Sequence, residues 1–141
     1  MNNLLVPIDG SPAALRALAF ALQVVHGRPD ARVHLLNVQA PLLQAGPSKL
    51  VSPDMIDAEL RGEGEKRLVQ AEIMALSASV ACVPRVRIGS VAAEIVAHAV
   101  EHGCDAIVMG TRGMGVVGGL VMGSVAQKVV HLATVPVTLV K

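Results

Sequence analysis

The sequence predicts an α/β domain: a five-stranded parallel sheet, doubly wound, with helices on both faces. Three observations predict it. Short, nearly unbroken apolar runs alternate with segments whose apolar residues return at helical spacing. Those runs lack a polar face, as strands do when helices cover both sides of their sheet. The chain has 141 residues, 52% of them hydrophobic, which suits one domain with a sizeable core. Residues 1–141 are therefore read as a single domain.

The first strand is Leu4-Leu5-Val6-Pro7-Ile8, ending at Asp9-Gly10-Ser11-Pro12. Ser11 suits a helix N-cap and Pro12 the first helical position, where a missing N–H costs nothing. Leu15, Leu18, Ala19, Leu22 and Val25 follow at helical spacing, and Gly27 closes that helix. Val33–Val38 reads as the second strand. Gln39–Pro53, with three prolines, is a long connection and a lid or rim candidate. A charged helix is expected over Asp54–Ser79, weakened by Gly62 and Gly64, and a third strand over Val83–Ile88. Gly89-Ser90 opens a helix whose apolar face is Ile95, Val96, Ala99 and Val100. Ala106–Met109 is the fourth strand. A glycine-rich loop runs from Gly110 to Gly123, a helix starts at Ser124, and Val135–Val140 is the last strand. The β-α-β-α-β-α-β-α-β order contains no internal repeat and makes a Rossmann-like sheet.

Composition removes several functions. Basic and acidic residues number 12 and 11, for a formal net charge of +1. A nucleic-acid binder would concentrate basic charge on one face. Phe20 is the one aromatic residue, with no Trp or Tyr, so base-stacking platforms and aromatic cages are excluded. Cys82 and Cys104 form no Cys-x-x-Cys pair, which speaks against a disulfide framework or structural zinc and suits a reducing cytoplasm. No signal peptide is read at Met1-Asn2-Asn3. The uncharged stretches Val33–Ser48 and Gly113–Gln127 fall short of the about 20 apolar residues a bilayer span needs. The expectation is a cytoplasmic protein without membrane or nucleic-acid partners.

In sheets of this kind, ligands bind outside the carboxyl ends of the strands, where strand order reverses. Asp9 and the glycine loop both sit at such ends. Six glycines between Gly110 and Gly123 let the backbone approach a ligand closely, and their N–H groups can form an anion-binding concavity. Ser124 then opens a helix, whose free N–H groups and positive dipole end favour phosphate. Gly113-x-Gly115-x-x-Gly118 formally matches the dinucleotide fingerprint. It follows the wrong strand, however, and lacks the later acidic residue. No Gly-Lys pair exists for a P-loop. Asp9, beside a helix N-terminus, is stabilised by that dipole with or without a ligand.

Gly110, two residues, Gly113, nine residues, then Gly123-Ser124 is the spacing carried by nucleotide-binding members of the universal stress protein family. The chain resembles that family over its whole length, including Val6-Pro7-Ile8-Asp9-Gly10-Ser11 at one end and Val135-Pro136-Val137 at the other. The resemblance implies an ATP-binding stress-response protein, or one binding a related adenine nucleotide, with Mg²⁺ as an optional companion. It places Pro7 and Ile8 along the base, Asp9 against the adenosine and the Val38 backbone at the adenine. Gly110, Gly113 and Gly123 would bring their backbone to the phosphates, Ser124 its hydroxyl and Val125 its N–H. Arg112 would either reach the phosphates or stay solvated. It also implies a homodimer joined through Val135–Val140, where Pro136 already suits a sheet edge.

No catalytic constellation emerges. His98 and His102 lie at i, i+4 on one helix and read as a surface pair, since zinc would need further ligands. Glu94 and Glu101 fit an exposed helix face. The glycine loop offers neither the base nor the metal-binding carboxylates of a phosphoryl-transfer site. The reading is a nucleotide-sensing binding protein with at most slow ATP hydrolysis; the alternative is a nucleotide-free dimeric interaction module of the same fold. A phosphorylated receiver is rejected, because the first strand ends in a single Asp9 and the third in Arg87-Ile88-Gly89.

Overall fold

A computed structural model describes residues 1–41, 52–111 and 122–141. The elements are β1 (Asn3–Pro7), α1 (Pro12–Val25), β2 (Arg32–Gln39), α2 (Pro53–Ser77), β3 (Ala81–Ile88), α3 (Val91–Glu101), β4 (Ala106–Gly110), α4 (Ser124–Leu132) and β5 (Val137–Val140). All strand pairs are parallel, in the order β3-β2-β1-β4-β5. The order reverses between β1 and β4.

Alternation along the strands splits the interior into two layers. Leu4 and Val6 of β1 and Ile8 just after it, with Val33 and Leu35 of β2 and Val108 of β4, pack against α1 and α2. Leu5, Leu36, Ile107 and Met109 face the other way, onto Ile95 and Ala99 of α3 and Ala126 and Val129 of α4. A doubly wound sheet follows directly from strands that are apolar on both faces.

The helix starts explain themselves. The Ser11 hydroxyl accepts the Ala14 N–H at 3.2 Å with Pro12 at the first helical position. Ser52 does the same for Met55 ahead of Pro53. The charged helix thus begins one residue before the expected Asp54, because Pro53 is its first residue rather than the loop's last. The buried face of α1 is Ala13, Ala14, Ala17, Leu18, Ala21, Leu22 and Val25, so Ala19 of the expected stripe lies outside it. On α3, Val100 of the expected face is exposed and His98 is buried instead. β3 starts at Ala81, earlier than expected, and pairs with β2 at eight positions from Arg32↔Ala81 to Gln39↔Ile88. Pro84 is tolerated there because β3 is an edge strand. β5 starts at Val137, later than expected; the Pro136 carbonyl still accepts the Ile107 N–H, but Pro136 has no N–H for a ladder. Most of the expected lid Gln39–Pro53, residues 42–51, lies outside the described residues.

Candidate functional site

A cavity of about 390 Å³ opens at the carboxyl ends of β1 and β4, where the strand order reverses. It takes lining from both interior layers: Ile8 and Ala14 from one, Leu36, Ile95, Met109 and Ala126 from the other. Pro7, Ile8, Asp9, Val38, Gly110, Gly123, Ser124 and Val125 all line it, so the expected site residues that are described share one cavity. Arg112 and Gly113 lie outside the described residues.

Asp9 stands two residues after the end of β1, and its Oδ1 accepts the Ser11 N–H at 2.9 Å. That contact aligns the turn into α1 and gives the carboxylate a structural duty alongside its place in the lining. Gly110, at the end of β4, has a packing reason to be glycine. A Cβ there would stand 2.9 Å from the backbone of Ala13 in α1. The helix sits that close only because position 110 has no side chain.

Gly123 is the N-cap of α4 and has no side chain with which to cap it. Its own N–H donates to the Thr111 carbonyl at 2.6 Å, which fastens the helix start to the end of β4. The amides of Ser124 and Val125, in the first helical turn, have no i−4 partner within the helix. They lie at the positive end of the helix dipole and line the cavity. Backbone groups so placed can receive an anion.

Beside Ser11 and Thr111, the lining includes Asn37, Gln39 and Arg67, which sequence reasoning did not place there. Asn37 is buried on β2; its amide donates to the Ile8 carbonyl at 2.8 Å and its oxygen accepts from Gln39 Nε2 at 2.8 Å. The two amides lock the ends of β1 and β2 together beside the cavity. Their signal was Asn37 within the apolar run Val33–Val38 and Gln39 directly after it. Arg67 reaches from α2, donating to the Asp9 carbonyl at 3.3 Å and pairing with Glu63 at 3.3 Å. It brings a positive charge to the same mouth. Nothing in the spacing of α2 marks it, since that helix is charged over most of its length.

The other candidates fall differently from the expectation. His98 is not part of a surface pair: it is 1% exposed, against His34 of β2 and beside exposed His102. Glu94 is half-buried rather than exposed, paired with Arg87 at 2.6 Å; the exposed Glu101 takes the same guanidinium at 2.7 Å. That bridge holds Glu101 below the usual carboxylate range, chiefly through its hydrogen bond from Arg87. Burial pushes the Cys104 thiol up to about 11, which makes it a packing group. Among the described residues, no helix is long and apolar enough to cross a membrane.

Comparison with known proteins agrees with this architecture. The chain is 38% identical over 144 residues to a universal stress protein of Thermus aquaticus, covering 99% of this chain and 98% of the relative. It is 32% identical to universal stress protein YxiE of Bacillus subtilis, covering 99% of each. Among solved structures, universal stress protein UspA from Lactobacillus plantarum superposes with a TM-score of 0.80 at 25% identity, over 99% of this chain and 97% of that one. Two more distant structures hold ligands. A universal stress protein in complex with cAMP has a TM-score of 0.71 at 24% identity, over 99% and 97% of the two chains. One from Archaeoglobus fulgidus in complex with dAMP has 0.71 at 23%, over 100% and 98%. The family model described as the universal stress protein family matches residues 1–141, and with a sheet, strand order and crevice of this kind the chain belongs to that family.

Proposed function

We propose that this protein binds an adenine nucleotide, ATP foremost, in the cavity between β1 and β4, and serves as a nucleotide sensor rather than a dedicated enzyme. The observation that carries the reading is the α4 N-terminus. It has no side-chain cap, and its first turn, Ser124 and Val125, lines the same cavity as the apolar Ile8, Val38 and Ile95. Phosphates suit the first feature, and an adenine ring suits the second. The adenine nucleotides in the two related structures support the choice of base.

The groups present fit the ligand. The Ser124 hydroxyl and the amides of Ser124 and Val125 would meet the phosphates, with Arg67 and Arg112 supplying positive charge. Gly113 would continue the cradle. Among the described lining residues, Asp9 is the one acidic side chain. A Mg²⁺ would then be held chiefly by the nucleotide and water. With so few groups to orient a water or hold a metal, hydrolysis is slow at most. Two free cysteines accord with a reducing cytoplasm.

The test exploits the absent Trp and Tyr. Purified protein should be nearly transparent at 280 nm, so a carried nucleotide stands out near 260 nm and can be released by denaturation and identified by chromatography. Gly123→Leu is the decisive variant. Position 123 has φ −71° and ψ 162°, a backbone any residue adopts, so the substitution adds no backbone strain, and a wild-type circular-dichroism spectrum and urea midpoint check that this buried position accepts the side chain. ATP affinity should fall at least tenfold. Unchanged affinity in Gly123→Leu would show that the nucleotide, if bound, sits elsewhere. No binding by wild type with ATP and Mg²⁺ would favour the nucleotide-free interaction module.

A further inference from the structure

A second cluster of ligand-type side chains lies away from the nucleotide crevice, and it was not legible as a site in the sequence. His34 projects from β2 on the same face of the sheet as Leu36, towards α3. His98 comes from the last turn of α3, and His102 follows one turn later as its C-cap. The three rings form one group: centroids of His34 and His98 are 5.8 Å apart, His34 and His102 5.8 Å, and His98 and His102 4.1 Å. Each offers a ring nitrogen, and these atoms lie within 4.8 Å of one another.

The burial is what makes the group unusual. His98 is 1% exposed and His34 7%. Neither ring nitrogen of His98, nor Nδ1 of His34, has a hydrogen-bond partner. A buried polar atom without a partner is costly, and most such atoms in a folded protein are paired. Each buried ring thus carries at least one unsatisfied nitrogen, and one nitrogen from each can meet a shared partner. A proton shared among the rings is a poor one, because a charged imidazolium would be desolvated here. A neutral imidazole presents a ring lone pair, the form that ligates metals.

We propose that His34, His98 and His102 bind one divalent transition-metal ion of the zinc class. Imidazole suits zinc, cobalt, nickel and copper, and three histidines with an open fourth position form a known type of zinc shell. Zinc–nitrogen bonds of about 2.0–2.1 Å in a tetrahedral shell place the ligand atoms about 3.3 Å apart. The cluster must contract to reach that spacing. His102, exposed at the end of α3, is the ring that must shift from its stack on His98, and its exposure gives the entry route.

The surrounding charges divide. Arg32 and Arg85 lie near His34 and oppose a cation. On the other side Arg87 is bridged by both Glu94 and Glu101, two carboxylates on one guanidinium, which leaves that flank net negative. Those carboxylates are occupied by Arg87, so water would complete the shell. This site stands independently of the nucleotide reading, since none of its three histidines lines the β1–β4 cavity.

The experiment uses the full chain without an affinity tag, stripped with a chelator and free of nucleotide. Zn²⁺ is titrated calorimetrically and Co²⁺ by visible absorption. The expected result is one equivalent per chain with micromolar or tighter affinity, and Co²⁺ bands typical of a tetrahedral or five-coordinate site. His102→Ala, at an exposed position the fold tolerates, should weaken binding at least tenfold. His98→Gln should weaken it further. His131→Ala, an exposed histidine on α4 outside the cluster, should leave it unchanged. Absence of a saturable site in wild type would overturn the proposal. So would a site that keeps its affinity in His102→Ala or loses it in His131→Ala.

Discussion

His98 occupies the position on α3 where the spacing of Ile95 and Ala99 demands a buried residue, and an imidazole fills it. In the metal-free protein this has a consequence for acid stability. Its value in the fold, about 4, lies below the ordinary 6.5, with burial as the first cause and the charge of His102 as the second. The unfolded chain therefore binds a proton that the folded chain refuses between those two values. Stability is fully present above about pH 6.5 and declines as pH falls towards 4, at up to about 1.4 kcal/mol per unit for one proton. Burial also lowers His34, which steepens the same window. Urea denaturation at pH 7 and pH 5 should show the loss, and His98→Leu should flatten it. An equal slope in the variant would mean that His98 is not the group responsible. At this scale the sequence was legible where backbone mattered and obscure where packing did: Ser11 and Ser52 cap helices, but only the first was readable, since Ser52 precedes a proline that also suits a loop. His98 looked superficial because a four-residue spacing shows which side chains share a face, and not whether that face meets a strand.

At the scale of elements, α2 and β3 owe their fit to Gly64. In the sequence this glycine weakens a helix; in the fold it is buried, and a Cβ would come within 2.6 Å of Val86 Cγ1 and 2.9 Å of Asn37 Oδ1. Gly64→Ala would gain about 1 kcal/mol in helix propensity. It would lose about 1–3 kcal/mol to overpacking against β3 and β2. The net effect should be a lower urea midpoint and, on the proposed function, weaker nucleotide binding, because the Asn37 oxygen that receives Gln39 would be displaced. A raised midpoint would show that the Val86 side chain yields without cost. The element order and parallel pairing were readable because the inner strands β1, β2 and β4 are largely apolar on both faces. Boundaries were not always so, since Ala81 and Cys82 join β3 only through pairing with β2, and Pro136 is excluded from β5 by its missing N–H. The crevice was readable as a pair of strand ends. Asn37 and Arg67 were not, because their roles depend on which carbonyls, Ile8 and Asp9, the tertiary fold brings to them.

The whole molecule leaves β5 at one edge of the sheet, hydrogen-bonded on its inner side to β4. Its Val137-Thr138-Leu139-Val140 is short and uncharged, an edge with few of the features that deter pairing. We expect two copies to associate through this strand, giving twice the chain mass by light scattering at micromolar concentration; a monomeric mass would remove the proposal. The crevice between β1 and β4 has a different reach. Because both interior layers contribute to its walls, a molecule seated there touches the packing on each side of the sheet and binds only when both are formed. Its binding free energy then adds to that of folding as RT ln(1 + [L]/Kd), about 2.7 kcal/mol at a hundredfold excess over Kd. The lifetime of the chain in a cell, as set by proteases that act on its opened form, would thus follow the local supply of the ligand.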